Sequence, residues 1–190
     1  CAGSQREESL LDATEEAFDE VLQINLKAAM FAAQAVARWQ VAGKRGGSQV
    51  HLLSVRAQLG LRNRGYSAYA SSKGALVMLI RQHASELAPH GITVNGIAPT
   101  VVQTEMARHW LADADSLRRV TERIPLGRIA QPVDVAGAAV FFCAPAAAFI
   151  TGPGQTMDFE YRPTAPGLLV FRVRHRVDDW KTDLPILVER

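Results

Sequence analysis

Between Glu15 and Val41 the chain contains neither glycine nor proline, and Phe18, Val21, Leu22, Leu26 and Met30 recur at helical spacing. Thr14 followed by Glu15 and Glu16 supplies an N-cap and an acidic first turn. One long helix is predicted there. The stretch from Gly43 to Ser48 breaks it, and Gln49-Val50-His51-Leu52-Leu53 is an apolar run of strand length. Its continuity suits a parallel strand covered on both faces. A loop rich in Gly, Arg and Asn runs from Val55 to about Gly65. A second helix is predicted from about Tyr66 to Leu87, stopped by Pro89 and Gly91. Ile92 to Ala98 reads as a strand ended by Pro99. Two short helices are expected between Thr104 and Arg123, and a turn at Pro125-Leu126-Gly127-Arg128. A third substantial helix runs from Pro132 to Phe142, and a last strand from Phe149 to Met157. Helices alternating with buried strands predict an α/β protein with a parallel sheet. From Tyr161 to Arg190 the character changes. Val170 to Val177 places arginines on one face, as an added edge strand or an unpaired basic tail would.

The 190 residues are 48% hydrophobic and 21% charged, ordinary for about one globular domain. A net charge of +2 gives no reason to expect nucleic acid or an anionic membrane as partner. No apolar run reaches the ~18–20 residues of a membrane span, and the first eight residues do not read as a signal peptide. Cys1 and Cys143 form neither a disulfide framework nor a metal-ligand spacing. Within Phe141-Phe142-Cys143-Ala144, Cys143 reads as a buried structural thiol. A cytoplasmic location is expected. His51, His83, His90, His109 and His175 are scattered, so each reads as a surface or packing residue and no metal is required.

Tyr69 and Lys73 lie four apart on the second predicted helix, on one face, with Cβ atoms about 5–6 Å apart. A tyrosine is a poor base at its reference pKa of ~10. An ammonium at ~4 Å and an effective dielectric of ~20 would favour the phenolate by about 4 kcal/mol. That corresponds to a pKa lowered by roughly 3 units, within reach of neutral pH. The same spacing also suits a tyrosine packed along a lysine stem. Ser54 closes the first strand at the carboxyl end, where α/β sheets put their ligands. There it could donate to a substrate oxygen beside Tyr69, or simply turn the chain.

The segment Gly65-Tyr66-Ser67-Ala68-Tyr69-Ala70-Ser71-Ser72-Lys73-Gly74-Ala75-Leu76 resembles the active-site segment of the short-chain dehydrogenase/reductase family. Further matches follow in the family's order: Asn25-Leu26-Lys27 upstream, then Val94 to Thr100, Pro125 to Arg128, and Phe149 to Gly152. The resemblance implies a doubly wound, Rossmann-like parallel sheet and an NAD- or NADP-dependent oxidoreductase. Such an enzyme interconverts a secondary alcohol and a ketone as small-molecule substrates. It further implies that Tyr69 exchanges the proton, that Lys73 lowers its pKa and binds the nicotinamide ribose, and that Ser54 orients the substrate oxygen. Asn25 would hold a water linking Lys73 to solvent. Pro99, Thr100 and Thr104 would pack against the nicotinamide, and Thr104 to Arg123 would form the substrate lid. A homodimer or homotetramer, paired through the helices around Asn25 and Tyr69, is implied for the full-length protein. The loop from Ser54 to Leu61 and the segment Ala98-Pro99-Thr100 look most like members acting on sugars and sugar acids. Arg56 could bind a carboxylate if it faces the pocket, or be a surface arginine.

Two departures shape the expectation. The family's glycine-rich turn, which holds the pyrophosphate, has no G-x-x-x-G-x-G counterpart; Gly43, Gly46 and Gly47 follow a helix and read as a turn. The chain begins with cysteine, and Cys1-Ala2-Gly3 matches the end of the family's Asn-Asn-Ala-Gly motif, which makes Ala2 and Gly3 candidate cofactor neighbours. The reading is therefore a C-terminal part of a longer protein. Residues 1–160 would belong to one Rossmann-like domain truncated at its start, and residues 161–190 to an atypical extension. The chain alone is expected to bind no dinucleotide. The alternative is an inactive remnant or assembly module.

Overall fold

The computed structural model describes residues 2–62 and 64–152, together with short backbone strands at 156–157, 170–171 and 186–187. Three parallel strands lie in the order β1 (Gly47–Leu52), β2 (Ile92–Ile97), β3 (Thr156–Met157). Gly47 pairs with Ile92 and Leu52 with Ile97. The pairing runs on past the strand ends: Leu53 N–H donates to Ile97 O at 2.7 Å and Val55 N–H to Pro99 O at 3.2 Å. Ser54 and Pro99 thus leave the sheet at the same carboxyl edge.

The first predicted helix is a rod in two parts, α1 (Glu15–Leu22) and α2 (Ala28–Ala42), joined by a π-helical turn at Gln23–Lys27. Thr14 caps it by accepting from Ala17 N–H at 3.3 Å. Next come α3 (Ser67–Leu87), the short α4 (Arg108–Leu111) and α5 (Ala114–Thr121), and α6 (Pro132–Cys143). Alternation along the strands builds a core on each face of the sheet. Leu53, Val94 and Ala98 pack against Leu76, Ile80 and Ala84 of α3, while Ile97, Val50 and Leu52 meet Phe142 and its neighbours on α6. Each fully buried Ile, Leu or Phe contributes about 1.5–3 kcal/mol. Gly96 lets α3 come close: a Cβ there would lie 2.7 Å from Leu53 Cδ1 and 2.8 Å from Ile80 Cδ1. Helices on both faces of a parallel sheet are the doubly wound arrangement predicted.

Two expectations change. Among the described residues the last strand covers Thr156–Met157, and residues 149–152 are not part of it. Before it the chain turns at Gly152, whose φ of +50° interrupts an extended run and whose N–H donates to Val94 O at 2.9 Å. Cys143 is exposed, because Phe142 takes the inward position on α6 and the next residue points about 100° round the helix. Val170–Phe171 pairs antiparallel with Ile186–Leu187, two residues of the predicted alternating stretch; the rest of that stretch, Cys1 and His175 lie outside the described residues. Among the described residues no helix is long and apolar enough to cross a membrane.

Candidate functional site

Ser54 follows β1 with extended backbone, φ −162° and ψ 156°, so its hydroxyl can accept from Arg56 N–H at 3.2 Å and open a 3-10 turn at Val55–Ala57. Helix α3 lies across that turn, and a Cβ on Gly74 would sit 3.6 Å from Ala57 O. From the first turns of α3, Tyr69 and Lys73 point inward, 9% and 7% exposed. Lys73 Nζ donates to Leu52 O at 2.9 Å and stands 5.7 Å from the centre of the Tyr69 ring. Ser54, Tyr69 and Lys73 thus meet at the carboxyl edge of β1.

The electrostatics differ from those expected. Burial pushes the Tyr69 phenol above its ordinary pKa, against a hydrogen-bonding interaction with the Ser54 side chain and the positive charge of Arg56. Burial also lowers the Lys73 ammonium. The net shift of the phenol is upward because desolvation outweighs the Ser54 and Arg56 influences, while the Lys73 ammonium is bonded to the Leu52 carbonyl.

Asn25 sits in the π turn, 4% exposed. Its amide is a clamp: Nδ2 donates to Ser4 O at 2.8 Å and to Ser72 Oγ at 3.0 Å, and Oδ1 accepts from Ser4 N–H at 2.9 Å. Both amide hydrogens are spent, so the side chain has no donor left for a water. Ser72, fully buried, donates to Tyr69 O at 2.7 Å and so connects Asn25 to the tyrosine's turn. Sequence reasoning missed Ser72; a small polar residue three after Tyr69 on the inward helix face was the available signal.

Ala2 and Gly3 are exposed at the head of this clamp, with Gly3 beside Asn25 Oδ1 and Met106 Cε. The chain from Ser4 to Glu8 is then pinned between helices. Arg6 pairs with Glu20, at 2.6 Å, and Glu8 N–H donates to Gly65 O at 3.0 Å. Glu7 accepts from Arg64 at 2.8 Å and from the Tyr66 hydroxyl at 2.9 Å. The Tyr66 ring lies 6.1 Å from that of Tyr69. Pro99 is half-buried at the sheet edge, whereas Thr100 and Thr104 are exposed on the segment beyond it. Gln103 N–H holds that segment to Ala130 O at 2.8 Å. No hydrogen bond among the described residues joins Thr100 or Thr104 to Ser54, Tyr69, Lys73 or Asn25.

The donor set suits one end of a dinucleotide. An ammonium has three donors, and Lys73 spends one on Leu52, leaving two for the hydroxyls of a ribose. Among the described residues no three His, Cys, Asp or Glu side chains gather as a metal site would need.

A parallel α/β sheet with serine, tyrosine and lysine at its carboxyl edge sets the class of protein: the chain belongs to the short-chain dehydrogenase/reductase family. The family model described as enoyl-(acyl carrier protein) reductase matches residues 1–159. L-xylulose reductase of Mesocricetus auratus is 38% identical over 148 residues, 78% of this chain and 60% of that protein. The 2-dehydro-3-deoxy-D-gluconate 5-dehydrogenase of Dickeya dadantii is 35% identical over 158 residues, 83% of this chain and 61% of that one. A gluconate 5-dehydrogenase from Burkholderia cenocepacia, solved in complex with NADP and tartrate, superposes with a TM-score of 0.75 at 32% identity, over 80% of this chain and 58% of that one. The chain therefore spans about 60% of the length of these relatives.

Proposed function

We propose that the chain provides the proton-transfer part of an NAD- or NADP-dependent oxidoreductase that interconverts a secondary alcohol and a ketone, with a sugar or sugar acid as substrate. The observation behind this is the burial of Tyr69 and Lys73 beside Ser54 at the carboxyl edge of the sheet. Tyr69 Oη gives a proton to the ketone oxygen in reduction and takes it from the alcohol in oxidation. The Ser54 hydroxyl accepts from Arg56 N–H, and its own hydrogen, which interacts with Tyr69, turns to the substrate oxygen when substrate binds and holds it by Tyr69. Lys73, anchored on Leu52 O, holds the ribose hydroxyls with its remaining donors and keeps a positive charge near the phenol. Asn25 and Ser72 fix the turn of α3 on which Tyr69 stands. Pro99, Thr100, Thr104, Ala2 and Gly3 line the cofactor's side. The nicotinamide, when bound, supplies or accepts the hydride.

In this reading residues 1–160 belong to a single Rossmann-like domain, in keeping with the family match to residue 159, and residues 161–190 form an extension. The protein works in the cytoplasm as a homodimer or homotetramer. Phe31 and Trp39 on α2 and Met78 on α3 are 54%, 61% and 58% exposed, the apolar side chains such pairing would cover. The test uses the protein produced from its own gene, assayed with NAD and NADP against polyols, sugars and sugar acids. Tyr69→Phe should lower kcat/KM about 10²–10⁴-fold with an unchanged far-ultraviolet circular dichroism spectrum. Full activity in that variant would remove Tyr69 from the chemistry.

A further inference from the structure

Two of the relatives act, by their names, on a neutral sugar and on a carboxylate-bearing sugar acid. Arg56 stands next to the site that would meet either one. It is the second residue of the turn that Ser54 opens, and its backbone N–H is fastened to the Ser54 hydroxyl. The residue is half-buried. The other cations near the site are engaged: Arg64 with Glu7 at 2.8 Å, and Lys73 with Leu52 O at 2.9 Å. No carboxylate among the described residues pairs with the Arg56 guanidinium.

We propose that Arg56 is the specificity-determining residue that receives the carboxylate of the substrate, which makes the substrate class a hydroxy acid and its keto acid rather than a neutral polyol and ketose. This rests on the reading of Tyr69 and Ser54 as the proton-transfer site. A guanidinium that no carboxylate among the described residues engages is open to a bound carboxylate, which it would hold through two parallel N–H···O bonds. The positive charge of Arg56 reaches the Tyr69 phenol, as its lowering influence there shows. The geometry has a simple chemical reading. Ser54 presents its hydroxyl to the reacting oxygen, while the residue two positions on presents five N–H donors from the same turn. One end of the substrate is held for chemistry and the other for recognition.

The experiment compares D-gluconate with xylitol as alcohol substrates in wild type, Arg56→Met, Arg56→Lys and Tyr69→Phe, each made from the full gene. Wild type should favour gluconate in kcat/KM by at least about 10-fold. In Arg56→Met the gluconate-to-xylitol ratio should fall about 100-fold, chiefly through KM for gluconate, and Arg56→Lys should recover part of it. Glutarate, which has carboxylates but no alcohol, should inhibit wild type competitively against gluconate and the Met variant far more weakly. Preference for xylitol in wild type, a ratio unmoved by Arg56→Met, or no competition from glutarate would overturn the role of Arg56. Undiminished activity in Tyr69→Phe, or no turnover of any alcohol or ketone, would overturn the underlying dehydrogenase reading instead.

Discussion

The Tyr69 phenol is held above its ordinary pKa by burial, with the Ser54 interaction and the Arg56 charge pulling the other way. The protonated form therefore predominates at neutral pH, which suits donation to a ketone oxygen. With Tyr69 as the proposed proton carrier, oxidation needs the phenolate, so kcat/KM for the alcohol should rise with pH through the alkaline range. Reduction needs the phenol, so its kcat/KM should fall there. Arg56→Met should move both limbs to higher pH, since losing a nearby positive charge raises the phenol's pKa further. Initial rates in both directions from pH 6 to 10 test this, and flat profiles would refute it. The spacing of Tyr69 and Lys73, and Ser54 at a strand end, were legible because a helix puts i and i+4 on one face. The direction of the Tyr69 shift was not. It depends on how deeply the ring is buried and on a lysine bound to Leu52 O, contacts that exist only once β1 and α3 are packed.

Periodicity located the helices within a residue or two, yet it is blind to the π turn at Gln23–Lys27, since one extra residue in a turn leaves the local composition unchanged. The turn has a job. It sits where Asn25 grips Ser4 and Ser72, joining three segments far apart in sequence. Asn25→Ala would leave the Ser4 N–H and carbonyl without these partners in a part-buried place. The expected cost is about 2–3 kcal/mol, read as a lower denaturation midpoint with the slope unchanged. Activity should fall more than the stability loss explains, because Ser72 loses the amide that faces it while still bonded to Tyr69 O. Asn25→Ala with wild-type midpoint and wild-type rate would leave the clamp without consequence. The stretch from Phe149 to Gly152 shows the other limit of pattern reading. Phe149 is almost fully exposed and Gly152 adopts a left-handed backbone, so an apolar run that reads as strand is a turn held to Val94 by its backbone and by the Thr151 hydroxyl.

At the scale of the whole molecule both faces of the sheet bury polar side chains. On the α6 face Asn95 donates to Ile150 O at 2.7 Å, and the face toward α2 and α3 contains Gln49 bonded to Gln40, and His51 beside His83. His51 Nε2 is buried without a partner; its ring centre is 6.5 Å from that of His83, which contacts Met30 Sδ at 3.2 Å. Burial first, and then the His83 charge, bring His51 down to a pKa of about 4. In the unfolded chain an imidazole titrates near ~6.5. Between those values the unfolded state binds a proton that the native state refuses, so stability is full above about pH 6.5 and declines as pH falls toward 4. The loss approaches about 3 kcal/mol, from a shift of roughly 2.5 units at 1.36 kcal/mol each. His51→Gln, which keeps a polar side chain but no titration, should flatten this stretch of the curve. Denaturant midpoints at pH 7.5, 6, 5 and 4.5 decide the matter: equal slopes for wild type and His51→Gln would show that carboxylates, not this histidine, govern acid stability.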